Sequence, residues 1–249
     1  MSILLILAAV LPALFLLIKV YRADRLEKEP ISMLVYLVLW GVLATELAAV
    51  TEQFGVAVLD RLMRPSYSGF SFSFSGPIAV QNKHPVAYDL ILYFLIVGVS
   101  EEGIKFALLH WRTWKSPEFN CSFDGVVYAV FLSLGFALWE NIHYALSFGL
   151  ATALARAVTA VPGHGCFGVF MGTWYGMAKR ASLSGQREKS VWFRVLAVLV
   201  PVLLHGVYDF FAVSRLMDLG WVFLIFIAVM FVISVVLVGR ASRRDSYLF

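Results

Sequence analysis

Runs of about 20 mainly apolar residues recur from one end of this chain to the other, each long enough to cross ~30 Å of hydrocarbon as a helix. No water is present at that depth to satisfy backbone N–H and C=O groups, so such runs must be α-helices packed against one another. Spans are predicted at about residues 2–20, 31–59, 87–110, 123–147, 150–178, 191–212 and 219–239. The fold class expected is therefore an all-α polytopic membrane protein with about seven transmembrane helices. With 61% of residues apolar and 14% charged, no stretch is left for a separate soluble domain, and residues 1–249 read as one integral membrane domain.

The basic residues set the expected orientation. With the N-terminus outside, thirteen lysines and arginines (Lys19, Arg22, Arg25, Lys28, Arg112, Lys115, Lys179, Arg180, Arg187, Lys189, Arg240, Arg243 and Arg244) fall in inner loops. Only four (Arg61, Arg64, Lys83 and Arg215) fall outside. This predicts a multi-pass cell-membrane protein with its N-terminus out and its C-terminus in the cytoplasm. The same clustering beside apolar runs explains the net charge of +4 without a nucleic-acid partner. The first run lacks an early basic cluster and a small-residue cleavage site and reads as a retained span. Cys121 and Cys166 show no paired pattern, so neither a disulfide framework nor a thiolate metal site is expected. In the long outer loop, about 60–86, serines alternate with Phe70, Phe72 and Phe74. That period of two fits an interfacial loop or a short strand able to pair with an extended substrate.

Polar clusters interrupt the apolar runs, and each ionisable group at mid-bilayer costs at least ~2.5 kcal/mol, so groups kept there are candidates for function. In the third span Glu101 and Glu102 lie four and three residues before Lys105, within helical ion-pair reach. One carboxylate would be neutralised locally, leaving the other as a general acid or base. The fourth span carries Glu140, Asn141 and His143; the Glu-x-x-His spacing resembles half of a di-metal site, but no second copy exists. His143 reads as an interfacial histidine. In the fifth span Pro162 is expected to kink the helix just before His164, and Gly168, Gly172 and Gly176 form a stripe that lets a neighbouring helix approach. In the sixth span His205 and Asp209 share a face, where the carboxylate can fix the imidazole tautomer. A common cavity for Glu101 or Glu102, His164 and His205 is expected, enclosed by spans three to six.

Taken in order, Glu101-Glu102-x-x-Lys105, Phe123-Asp124-Gly125-Val-Val-Tyr128, Gly135-Phe136 with Glu140-Asn141, Pro162-Gly163-His164 and His205-Gly206-x-Tyr208-Asp209 resemble the PrsW family of intramembrane proteases. The resemblance covers about residues 95–212. It places the protease core at about 87–212, with spans 2–20 and 31–59 before it and span 219–239 after it. The family is grouped with the CAAX prenyl proteases and bacteriocin-processing enzymes, whose late His-x-x-x-Asn is here His205 to Asp209. Because aspartate is a poor oxyanion donor, that role is not carried over to it. The resemblance implies hydrolysis of a peptide bond in a membrane-tethered, single-span protein, the best-known example being the first cut of an anti-sigma factor in a stress response.

The residues allow two chemistries. In a glutamic mechanism Glu101 or Glu102 activates water without any cofactor, while Lys105, Asn141 or a histidine stabilises the oxyanion. In a metal mechanism His164, His205 and a carboxylate from Glu101 or Glu102 hold zinc. The absence of a His-Glu-x-x-His helix and the presence of Lys105 favour the metal-free version. No Ser-His-Asp arrangement is evident. From another class, a proton- or ion-coupled transporter would also carry Glu, His and Asp through a bundle, but inverted repeats and paired broken helices are missing.

Overall fold

A computed structural model describes residues 3–63, 86–213 and 220–248. Among the described residues nine α-helices form the bundle: α1 (Ile3–Ala23), α2 (Ile31–Met63), α3 (Val86–Leu90), α4 (Gly98–Thr113), α5 (Asp124–Phe148), α6 (Leu150–Val158), α7 (Ala160–Leu183), α8 (Arg187–Val213) and α9 (Gly220–Arg243). The phenylalanine–serine segment of the outer loop lies outside the described residues. Five helices, α1, α2, α5, α8 and α9, are long and apolar enough to cross a membrane. The two remaining expected spans are divided instead. The third runs through α3, a π-helical segment (Ile91–Val97) and α4; the fifth is cut into α6 and α7. These are the segments that carry Glu101, Glu102, Lys105 and His164.

Helix α5 is the axis of the fold. Every residue from Asp124 to Ala137 is buried, as expected for a helix that is apolar on all sides. Helices α1, α2, α4, α6 and α7 pack around it, α8 packs on α7 and α4, and α9 lies against α7 and α8. The closest approaches depend on missing side chains: a Cβ on Gly172 would lie 2.4 Å from the Gly125 carbonyl oxygen, and one on Gly135 would lie 2.3 Å from that of Val38. The stripe of α7 is thus a packing surface against α5, as its spacing predicts.

Two backbone irregularities aim the polar groups. In the π-helical segment the Gly98 N–H bonds the Tyr93 carbonyl, five residues back, widening the turn just ahead of Glu101. At Thr159 (φ −119°, ψ −72°) the chain leaves helical geometry and restarts at Ala160. Pro162 then falls in the first turn of α7, where an N–H would have no partner within the helix. The expected kink is therefore a break between two helices, and it lets α6 turn back across α5.

The Phe123-Asp124-Gly125-x-x-Tyr128 motif anchors the opposite end. Asp124 accepts the backbone N–H groups of Asn120 and Cys121 (3.0 and 2.6 Å), and the Tyr128 hydroxyl donates to Glu29 at 2.7 Å. Asp245 accepts from the Phe123 N–H at 2.8 Å, and Leu248 N–H bonds the Asn120 carbonyl at 2.8 Å, strapping the C-terminal residues over the start of α5.

Candidate active site

Lys105 is the hub. Its fully buried ammonium lies 3.0 Å from Glu101 Oε2, 2.8 Å from Glu102 Oε1 and 3.2 Å from His164 Nδ1, and sits 3.6 Å from the centre of the Phe136 ring. An ammonium has three N–H donors and no lone pair, so all three are used and His164 Nδ1 must accept. His164 consequently carries its proton on Nε2, which donates to Glu140 Oε2 at 3.0 Å. Arg156, delivered by the α6 turn, holds the same Glu140 oxygen at 2.6 Å while lying over the Tyr144 ring.

On the other side, His205 Nδ1 is 3.0 Å from Glu102 Oε1 and 3.8 Å from Glu101 Oε2, and its Nε2 is 3.4 Å from Asp209. The two imidazoles meet edge to face with centroids 5.2 Å apart. Residues from α4, α5, α7 and α8 therefore converge; of the residues expected to share a cavity, Glu101 lines the one between α2, α4 and α5, and Glu102, His164 and His205 do not. Lys105 bonds both glutamates of the doublet rather than one, and the second compensating group for Glu102 comes from another helix.

One candidate sits away from the cluster. Asn141 is fully buried but donates to the Ala9 carbonyl of α1 at 3.1 Å, away from the cluster. Glu140 pairs with His164 and Arg156, and His143 instead lies 3.9 Å from Glu46 of α2. Two participants are not singled out by sequence motifs: Arg156, and Glu52, which lines a cavity beside Glu101. Arg156 and Glu52 carry the signal that marked the others, an ionisable group inside an apolar run. Phe136 belongs to the Gly135-Phe136 motif, but its place under the Lys105 ammonium is set by packing.

The profile of the family described as PrsW family intramembrane metalloprotease matches residues 29–238. This chain belongs to the PrsW family. A protein named Protease PrsW from Geobacillus kaustophilus is 31% identical over 211 residues, 85% of this chain and 80% of that protein. One from Bacillus subtilis is 30% identical over 204 residues, covering 82% and 80%. The Halalkalibacterium halodurans protein of the same name is 40% identical over 123 residues, but that match spans only 49% of this chain and 55% of the relative. No solved structure matches the chain.

The PrsW description brings a metal into question, and the donor set can be tested against one. Glu101, Glu102, His164 and His205 each offer a ligand atom, and these lie within 4.8 Å of one another. Two carboxylates and two imidazoles suit zinc. Glu102 Oε2 is buried with no hydrogen-bond partner, as a ligand oxygen would be. The residues fit the ion, with Lys105 already sharing three of the four donors.

Proposed function

We propose that this PrsW-family chain is an intramembrane peptidase that hydrolyses a peptide bond in a membrane-tethered, single-span protein, with Glu101 as the group that activates water. The observation that carries the reading is the contrast within the doublet. Glu102 is wholly buried, bound by Lys105 and His205, whereas Glu101 lines a cavity of about 30 Å³ between α2, α4 and α5, room for one or two waters. A general base must reach the proton that it removes, and Glu101 is the one of the two placed to do so.

The Glu101 carboxylate takes a proton from water as the hydroxyl oxygen bonds the scissile carbonyl carbon. The negative charge that forms on the carbonyl oxygen is offset through the field of the buried Lys105 ammonium, whose three N–H groups stay on Glu101, Glu102 and His164 in a low-dielectric site. As the C–N bond breaks, the proton held by Glu101 passes to the leaving amine. Both nitrogens of His164 are engaged, so it positions Lys105, and Arg156 and Glu140 hold it in turn. His205, between Glu102 and Asp209, lies near enough to Glu101 to assist the charge that develops.

A metal-assisted version has its own support in the convergence of four donors and the unpartnered Glu102 oxygen. Glu101, Glu102, His164 and His205 would hold zinc, which would supply Lewis acidity and a water of lowered pKa. Lys105 bridges three of those donors, and we favour the glutamic reading because an ammonium and a divalent ion would repel at that distance. The anti-sigma factor is the substrate class that the family resemblance favours, and the outward N-terminus follows from the thirteen inner basic residues.

Purified protein incubated with a tagged single-span membrane protein should produce a new N-terminus, and E101Q should abolish it. Ion or proton flux in liposomes without any cleavage product would instead favour the transporter reading.

A further inference from the structure

The cavity beside Glu101 has features that catalysis at the doublet does not account for. Its lining includes Thr45, Glu46 and Glu52 of α2 and Glu140, His143 and Tyr144 of α5. Glu52 is more than nine-tenths buried, on a helix otherwise apolar enough to span a membrane. Glu46 stands further out, its side chain 36% exposed, 3.9 Å from His143 and accepting the Trp139 indole N–H at 2.5 Å. Around this strip α2 presents Leu43, Leu47, Val50 and Phe54 outward, the surface of a lipid-facing helix.

A carboxylate row inside an apolar helix is costly unless water or partners solvate it. A cavity large enough for water, lined by that row and reaching Glu101, supplies the solvent. Hydrolysis consumes one water per bond, and the hydrocarbon around the bundle cannot deliver it.

We propose that the gap between α2 and α5 is the port through which water reaches Glu101, with Glu52 keeping its inner half wet and the Glu46–Trp139–His143 contacts framing its mouth. The inference rests on Glu101 as the water-activating group, but the port can be read without turnover.

Ala49 lines the cavity between Glu46 and Glu52, and Val50, 63% exposed, faces away from it. A hydrophilic methanethiosulfonate reacts only with a thiolate, which forms in water and not in lipid. Background is low, because Cys121 and Cys166 are buried and burial, then the Asp124 carboxylate, pushes the Cys121 thiol up to about 12. In liposomes A49C should be modified at least ~10-fold faster than V50C, since desolvation keeps the latter protonated. Adding E52L, which makes the inner wall apolar, should slow A49C labelling by a similar factor; in the otherwise unmodified chain, E52L should lower kcat for peptide cleavage and leave KM unchanged. Equal rates for A49C and V50C overturn the port. Fast A49C labelling that persists with E52L overturns the role given to Glu52. The labelling rates carry the same meaning whether or not the chain cleaves a test peptide, so failure of the port and failure of the peptidase reading are separate results.

Discussion

The Lys105 ammonium lies 3.2 Å from Nδ1 of His164, a residue 59 positions later in the chain. Because the ammonium can only donate, this contact fixes the imidazole tautomer and points its Nε2–H at Glu140. One lysine thus sets the protonation pattern of α4, α5 and α7 together. Replacing it by the near-isosteric methionine leaves two buried carboxylates without their cation, a change worth roughly 3–5 kcal/mol for a broken buried pair. K105M should melt well below the wild type in detergent, and an unchanged melting temperature would show that other groups compensate the doublet.

Glu101 and Glu102 should differ on substitution. E101Q removes the water-activating group and should lower kcat by ~100-fold to 10,000-fold, the usual range for general acid–base catalysis. It should lower the melting temperature less than E102Q, because its amide oxygen can still accept from Lys105 and it lacks the 3.0 Å contact of Glu102 with His205. E102Q weakens the anchors of Lys105 and His205 and should reduce both activity and thermal stability. Kinetics and melts on the two purified variants check this, and wild-type turnover in E101Q would falsify the assignment of the base.

Exhaustive chelation should leave cleavage intact if Lys105 supplies the cationic charge. The measurement is metal content alongside turnover, before and after dialysis against a chelator. Stoichiometric zinc lost together with activity, and restored with it, would transfer the reaction to the metal-assisted version and keep the peptidase.

Acid groups at the anchoring end predict a pH-dependent stability. Between α1 and α2, burial pushes the Glu29 carboxyl up to about 7 and the Asp24 carboxyl up to about 6. The folded state then holds protons that the unfolded chain, with carboxyl values near ~4, has released, so folding is favoured most below that value. These two groups should make stability decline as pH rises from ~4 through about 6 and 7. Melting temperatures across pH 4–8 test the sign, and E29Q, whose amide oxygen can still accept from Tyr128, should flatten the profile.

Gly172 and Gly103 make a matched pair. A methyl group at Gly172 meets only backbone on α5, whereas one at Gly103 meets nothing within 4 Å. G172A should force α5 and α7 apart and cost about 1–3 kcal/mol, the range for overpacking, while G103A should be neutral or gain up to ~1 kcal/mol of helix propensity. Thermal melts that rank them in the opposite order would overturn the α5–α7 contact.

The sequence by itself determined the helical membrane class, because runs of apolar residues leave the backbone no alternative, and it determined the pairs that one helix brings together. Glu101 and Glu102 reach Lys105, and His205 faces Asp209, through the 3.6-residue turn alone. The ordered motifs also marked the family. Spacing did not show that Lys105 would serve both glutamates or that Glu102 would be shared with His205, 103 residues away, because each is settled by which helix faces share the bundle's interior. Asn141 and Glu140 are adjacent in the chain yet point to α1 and α7 respectively, since neighbours on a helix diverge by about 100°. Arg156 entered the site only because the chain breaks at Thr159, and Glu52 only because α2 crosses α5 close to Glu101. Tertiary packing alone decided these, since a charge inside an apolar run announces that it needs a partner but not which helix will provide it.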